Sequence, residues 1–460
     1  MSFRKALLAA AVFPLLFASP LTASAESLKG ALAKAYANNP DLNSARAALR
    51  ATDENVTIAK AGYRPQVAVS GSASVNKTQD VSGYPGLSET YRSAQVGLSI
   101  TQLIFDGFQT LSRVRSAESG VYAGQENLKA NEIQILLAAV QAYADIARDQ
   151  QVVSIRKQNL SFLNEQLNAA KTRLDVGEGT RTDVSQAEAQ LAAGKALLAA
   201  AVAQLKISKA TYVQIVGSAP TDIRQPAPAS KGLPRNLDSA VEVAITEHPS
   251  VRAALHQVDA AGYQVDEANG ALLPGVSLKG SVGRSASDAE LFGSGTDATS
   301  SSLTAQIVIP LYQGGAEYGR VRQAKENLGA QQIRVDSVRA QLQQMVTAAY
   351  AQLEAAQAAI SANQQQLSAA NLALQGVIEE RNVGQSTTLD VLNAQQQVLN
   401  AKESLAQSAR NAVVASYSAL AAMGRLTVID QGLDVAEYRS NDHYEAVKDK
   451  WIGLRTVDGQ

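Results

Sequence analysis

The 460-residue chain carries 41 basic and 42 acidic side chains, three histidines and no cysteine. These counts exclude a disulfide framework, a thiolate metal site and a lipid-modified cysteine behind an export signal. The even charge offers no basic footprint for nucleic acid. With only 5% aromatic residues, the chain lacks the bulk of a thick globular core and suits closely packed helices instead.

The first 25 residues have the layout of a cleavable export signal: Arg4 and Lys5, an apolar stretch from Ala6 to Phe17, then Ala23-Ser24-Ala25. The mature chain would begin at Glu26. Nothing later approaches 18 uninterrupted apolar residues, so a helical membrane protein is not expected. Asn39-Pro40 opens a helix. A strand follows in which Val67, Val69, Gly71, Ala73 and Val75 alternate with Ala68, Ser70, Ser72, Ser74 and Asn76, a period of two with one apolar and one small polar face. The turn-rich Gly83-Tyr84-Pro85-Gly86 leads to a second strand, with Ala94, Val96, Leu98 and Ile100 against Ser93, Gln95, Ser99 and Thr101. Each of these strands is expected to run about ten residues, the length that crosses a membrane at a tilt.

From Phe108 to Val176 no proline interrupts the chain, which predicts a helix of ~100 Å. Leu160, Leu163, Leu167, Ala170 and Leu174 form its coiled-coil seam. After a sharp turn the chain returns through Val184, Ala187, Leu191, Gly194, Leu198, Ala201 and Leu205, a seven-residue repeat of large and small residues that lets helix axes approach closely.

The whole pattern then recurs. Pro40 to Pro65 matches Pro249 to Pro274 at an offset of 209. Phe105-Asp106-Gly107, Tyr143, Val176-Gly177, Thr180 and Asp183-Val184 match Tyr312-Gln313-Gly314, Tyr350, Val383-Gly384, Thr387 and Asp390-Val391 at an offset of 207. A period this long marks a duplicated half-molecule and not a solenoid. The expected organisation is a signal at 1–25, a first repeat at 26–219, a proline-rich linker at 220–235, a second repeat at 236–430 and an unmatched tail at 431–460. In the second repeat Val276, Leu278 and Val282 oppose Ser277, Lys279 and Ser281, and Leu303, Ala305, Ile307 and Ile309 oppose Ser302, Thr304 and Gln306, around the Gly293-Ser294-Gly295 loop. The second long helix, Ala316 to Val383, has its seam at Val335, Val338, Leu342, Met345 and Ala349. Its return runs along Val391, Ala394, Val398, Ala401, Leu405, Ser408 and Ala412.

The fold class is therefore an α+β membrane protein. Open sheet edges do not survive in lipid and bacterial barrels need at least eight strands, so four strands per chain must be shared. Two chains give eight and three give twelve; only the larger barrel leaves room for water, and a conducting function favours three. A non-conducting periplasmic or surface coiled-coil protein is the alternative, although it has no need of four amphipathic strands placed symmetrically in two halves. His248, His256 and His443 have no acidic or cysteine partner at metal-ligand spacing, so solvated positions are expected for them and no metal, cofactor or catalytic site is indicated.

The export signal, the Asn-Pro and His-Pro helix starts, the strand ends Ile104-Phe105-Asp106-Gly107 and Leu311-Tyr312-Gln313-Gly314, and both Val-Gly-x-x-Thr-x-x-Asp-Val turns resemble the TolC family across the mature chain. The tail, with His443-Tyr444, Val447 and Trp451, is similar to that of alphaproteobacterial members linked to type I secretion. The resemblance implies a homotrimer in the outer membrane, with a twelve-stranded barrel and an α-helical tunnel across the periplasm. It also implies a periplasmic adaptor and an inner-membrane pump of ABC, RND or MFS type that supplies the energy, the duct itself being no enzyme and exporting drugs or proteins.

Two turns, Val176 to Val184 and Val383 to Val391, would form the periplasmic tips. Thr180 with Asp183 and Thr387 with Asp390 fit capping boxes, which alone would explain these residues. In a trimer Asp390 would also recur three times around the axis and make a cation-selective constriction. Family members carry a further Asp one turn later, where this chain has Asn393. Thr182 and Asp183 match family positions that latch the neighbouring hairpin, but the family's Tyr and Arg partners fall here at Arg381 and Ser386. Val176, Gly177, Thr180, Val383, Gly384 and Thr387 are the expected adaptor-docking residues.

Overall fold

The computed structural model describes residues 26–81, 84–234, 236–289, 295–457 and 459, so the export signal, Gly83 and Gly293-Ser294 lie outside the described residues. The first half contains α1 (Leu28–Asn38), α2 (Pro40–Lys60), a 3-10 turn (Ala61–Tyr63), β1 (Gln66–Val81), β2 (Tyr84–Phe105), α3 (Gln109–Asp175) and α4 (Arg181–Val216). The second half repeats the order with α5 (Leu237–Glu247), α6 (Pro249–Gly270), β3 (Gly275–Ala289), β4 (Thr296–Val308), α7 (Ala316–Asn382) and α8 (Thr388–Ala422), and the tail adds α9 (Val428–Gln431) and α10 (Ser440–Val447).

Each half opens with two helices instead of the single one expected, because a short helix precedes each proline. Asn39 ends α1 and starts α2: its Oδ1 accepts from Leu42 N at 3.0 Å, and Pro40 occupies the first position, where a missing N–H is no loss. His248 does the same for α6 through Nδ1, which accepts from Ser250 N at 3.0 Å. That acceptor requires the neutral imidazole, and burial lowers the pKa of His248 accordingly. The solvated position expected for this residue is thus corrected: it is a buried cap.

The four strands make one antiparallel sheet in the order β1-β2-β3-β4. Its register decides the two-faced reading. Val67 pairs with Ile100, Ile100 with Gly280 and Gly280 with Leu303; in the next row of the same face stand Val69, Leu98 and Val282. These side chains are exposed, as a lipid-facing band must be. On the other face hydroxyls meet across strands: Ser74 and Ser93 at 2.8 Å, Ser281 and Ser302 at 2.7 Å, Ser287 and Thr296 at 2.6 Å. The strands have 16, 22, 15 and 13 residues and outrun the ten expected, because pairing continues past the apolar band into polar rows such as Asn76 opposite Tyr91 and the Arg284–Asp297 ion pair.

Both long helices run 67 residues, ~100 Å, and fold back on α4 and α8 as antiparallel hairpins. Leu163, Leu167, Ala170, Ala187 and Leu191 fill the first seam, with Gly194 against Leu163. In the second, Val335, Leu342 and Ala349 are buried as expected, but Met345 is exposed. It lines a cavity of about 650 Å³ between α3, α6, α7 and α8. By length and composition α4 could cross a membrane, a result of its alanine content and not of an unbroken apolar run. The main core lies midway along α3, at the base of the hairpins where α4 and α8 end, around Leu32, Tyr36, Leu136, Tyr143, Tyr212, Leu420 and Leu426. The duplicated tyrosines do equivalent work there: Tyr143 donates to the carbonyls of Glu26 and Arg224, and Tyr350 to that of Pro234.

Two junctions join sheet to helix. Asp106 Oδ2 accepts from Thr110 N at 2.7 Å and from its hydroxyl at 2.5 Å, which starts α3. Gly107, at φ +67°, lies so close to Gly270 that a Cβ on it would fall 2.2 Å from the Gly270 carbonyl. The twin glycines Gly314 and Gly315 also have positive φ, but there a Cβ would meet nothing within 4 Å.

His443 supplies a second correction. Its Nδ1 lies 2.8 Å from Oδ2 of Asp53, a carboxylate with no solvent exposure on α2, so the tail is docked and not solvated. Burial pushes the Asp53 carboxyl up and the bond to His443 opposes the shift.

Candidate functional site

The tips are built by backbone rules. At the first, Gly177 takes φ +81° and the amides of Glu178 and Gly179 donate to the Arg173 carbonyl at 2.8 and 3.0 Å, closing α3. Thr180 then starts α4 with a full capping box: Asp183 N donates to the Thr180 hydroxyl at 3.2 Å, and Thr180 N donates back to Asp183 Oδ2 at 3.1 Å. At the second tip Gly384 has φ +80°, Gln385 N donates to the Glu380 carbonyl at 2.9 Å, and Thr387 N donates to Asp390 Oδ2 at 2.8 Å. The Thr387 hydroxyl and backbone hold the Asp390 carboxyl below the usual carboxylate range, so it is charged at neutral pH.

The exposed surface of the tips includes Val176, Gly177, Thr180 and Thr182 on the first turn, beside Glu178 and Arg181, and Val383, Gly384, Thr387, Asp390 and Asn393 on the second, beside Gln385 and Leu389. A Cβ on Gly177 or Gly384 would meet no atom within 4 Å, so only φ restricts these positions. Arg381 makes no hydrogen bond or ion pair with Thr182 or Asp183 of its own chain. It donates to Gln166 Oε1 on α3 at 2.5 Å, while Ser386 donates to Glu380 at 2.7 Å.

That Arg381 bond is the lowest rung of a polar ladder between the two hairpins. Above it Gln395 donates to Asn159 at 2.9 Å, Arg156 to Glu403 at 2.7 Å, Arg148 to Gln407 at 3.3 Å and Arg410 to Asp145 at 2.9 Å. Ser208 on α4 bonds the buried Asp149 at 2.5 Å and ties the first hairpin to itself. Sequence reasoning missed every rung. The partners are 215 to 265 residues apart, and their one local trace is polar residues interrupting an apolar seam.

A sheet with one apolar and one hydroxyl face, set on ~100 Å helical hairpins whose tips carry charge, defines the subunit of a membrane channel with a long water-filled extension. The family model described as outer membrane efflux protein matches residues 31–218 and again 240–425, one match per half. The chain is 46% identical to outer membrane efflux protein BepC of Brucella suis over 99% of its own length and 98% of that protein. It is 24% identical to outer membrane protein TolC of Escherichia coli K12, covering 88% of this chain and 84% of that one. Among solved structures, the CmeC outer membrane channel of Campylobacter jejuni superposes with a TM-score of 0.75 at 17% identity, over 92% of this chain and 89% of that one. The chain belongs to the outer membrane efflux protein family. It is an outer-membrane channel and not an enzyme, which sets aside the non-conducting coiled-coil alternative.

Proposed function

We propose that three copies of this chain close into a twelve-stranded barrel and a continuous helical tunnel, the exit duct of a tripartite export system. The carrying observation is the unequal packing of equivalent junctions. Gly107 of the first half is pressed on Gly270 of the second, whereas a Cβ on Gly314 or Gly315 of the second half would meet no atom of its own chain within 4 Å. A first half from the next copy supplies the missing partner, and repeating the step closes a ring. The free edges of β1 and β4 need the same neighbour, since unpaired strand edges are not tolerated in lipid. So do the exposed Leu197, Ile207 and Val213 on α4 and Ile333 and Leu372 on α7. Three copies, unlike two, leave a lumen wide enough for water. The two structural repeats at 26–219 and 236–430 are then six quasi-equivalent units around one axis.

In the ring Asp390, with Asn393 one turn above it, lines the narrow periplasmic entrance; Thr182 and Asp183 face the neighbouring hairpin. The glycine turns, with Val176, Thr180, Val383 and Thr387, meet a periplasmic adaptor that connects the duct to an inner-membrane pump of ABC, RND or MFS type. Transport through the duct is passive, and drugs or proteins are its cargo.

Asp390 is the group that tests this reading. Replacing it by Asn keeps a side chain able to accept from the Thr387 amide and removes three charges from the entrance. Cation preference, read as the reversal potential across a planar bilayer under a KCl gradient, is expected to fall toward that of free diffusion. An unchanged reversal potential leaves Asp390 as a helix cap and places the constriction elsewhere.

A further inference from the structure

The tail climbs α2 toward the sheet. Beyond the Asp53–His443 contact, the Thr57 hydroxyl donates to the Val447 carbonyl at 2.7 Å, and Lys60 pairs with Asp449 at 2.7 Å. Arg64 Nη1 donates to the Lys450 carbonyl at 3.0 Å, and its guanidinium lies 4.7 Å from the centre of the Trp451 ring. From Asp53 to Arg64 the contacts advance ~17 Å at helical rise. They stop two residues short of Gln66, where β1 begins. The tail therefore carries Trp451 to the foot of the sheet.

That foot is the edge of the apolar band. Its first rows hold Val67, Ile100, Leu303 and Ile307, all exposed, and the strand ends there are followed or preceded by exposed Tyr63, Phe108 and Tyr312. Aromatic rings collect at this level in membrane barrels because one part of the ring is apolar and another is wet. Past Trp451, Ile452 and Leu454 are 90% and 103% exposed, bare apolar side chains with a cation on either side, Lys450 and Arg455. Lys450 Nζ donates to the Arg455 carbonyl at 2.5 Å and closes the tip into a loop.

We propose that this tip, Lys450 to Arg455, docks on lipid at the periplasmic boundary of the outer membrane. Trp451, Ile452 and Leu454 enter the acyl margin, and the two cations meet anionic headgroups. The occupant follows from continuity: the tip is level with the lipid-facing band of the sheet, and its apolar centre flanked by cations matches a lipid surface. The inference rests on the membrane reading of that sheet.

Trp451 is the single tryptophan of the chain, so it reports on its own surroundings. The full-length protein would be reconstituted in vesicles of phosphatidylcholine and anionic phosphatidylglycerol, with and without bromine on the acyl chains near the headgroup. Tryptophan emission is expected to fall at least about twofold in the brominated vesicles, as for an interfacial ring, and to resist aqueous iodide. Emission quenched by iodide and not by brominated lipid overturns the proposal. Emission shifted to the blue and quenched by neither also overturns it, showing the tip covered by protein. A double variant, Trp451→Phe with Leu98→Trp, moves the only indole onto the sheet and reports its insertion independently. Bromine quenching in that variant without quenching of Trp451 in the wild type rejects the tail contact alone, and absence of both rejects the insertion of the sheet as well.

Discussion

Gly107→Ala is expected to abolish assembly of the protein, with Gly270→Ala close behind. A Cβ at Gly107 would sit 2.2 Å from the Gly270 carbonyl oxygen, and one at Gly270 would sit 2.4 Å from the Gly107 carbonyl. Both obstacles are backbone, held by the start of α3 on one side and the end of α6 on the other, so neither can rotate away. Gly107 also has φ +67°, where a side chain alone costs roughly 1–2 kcal/mol. Together these place the change among the rare substitutions costing more than about 4 kcal/mol. The measurement is the yield of folded protein in the outer-membrane fraction, with circular dichroism of what is recovered. Gly177→Ala and Gly384→Ala serve as controls: they meet the same φ penalty with open space around the added carbon, and they should assemble nearly as the wild type does. Wild-type yield from Gly107→Ala would mean that the junction is not packed as described.

Loosening the ladder is expected to enlarge the conductance without preventing assembly. Arg156 and Glu403 are mostly buried, and removing the arginine leaves a carboxylate short of its partner at a cost of about 2–3 kcal/mol. Arg381→Ala removes the rung nearest the tip, where Arg381 lies half-buried and burial already lowers its pKa. The double variant Arg156→Ala, Arg381→Ala removes the α3–α8 rung at Glu403 and the α3–α7 rung at Gln166 and leaves Gln395–Asn159 alone between them, while the core around Leu420 and Tyr143 still holds the middle of the molecule. Single channels of this variant should open wider or more often than those of the wild type. Unchanged traces would show that the ladder serves stability and leaves the entrance alone.

Much of this was legible because it is periodic or duplicated. Alternation along Val67 to Asn76 predicted two faces, and the register aligned them across four strands. The spacing of Thr180 with Asp183 and of Thr387 with Asp390 predicted caps that both form. What escaped was set by distance along the chain. Nothing near His443 announces Asp53, 390 residues away, and the ladder joins residues from different halves. The ends of the strands escaped for another reason: β pairing needs only backbone, so it runs on where the apolar alternation that marks the membrane stops. Met345 matches the seam by spacing, yet it faces a cavity, because α7 is flanked by more than one helix there.

The single-channel conductance of the detergent-extracted wild-type protein in a planar bilayer, with its oligomer mass measured in parallel, tests the duct most directly. A trimer with a small, cation-preferring conductance is the expected result. A monomer or dimer, or a trimer that passes no current even after Arg381 and Arg156 are replaced, would contradict it.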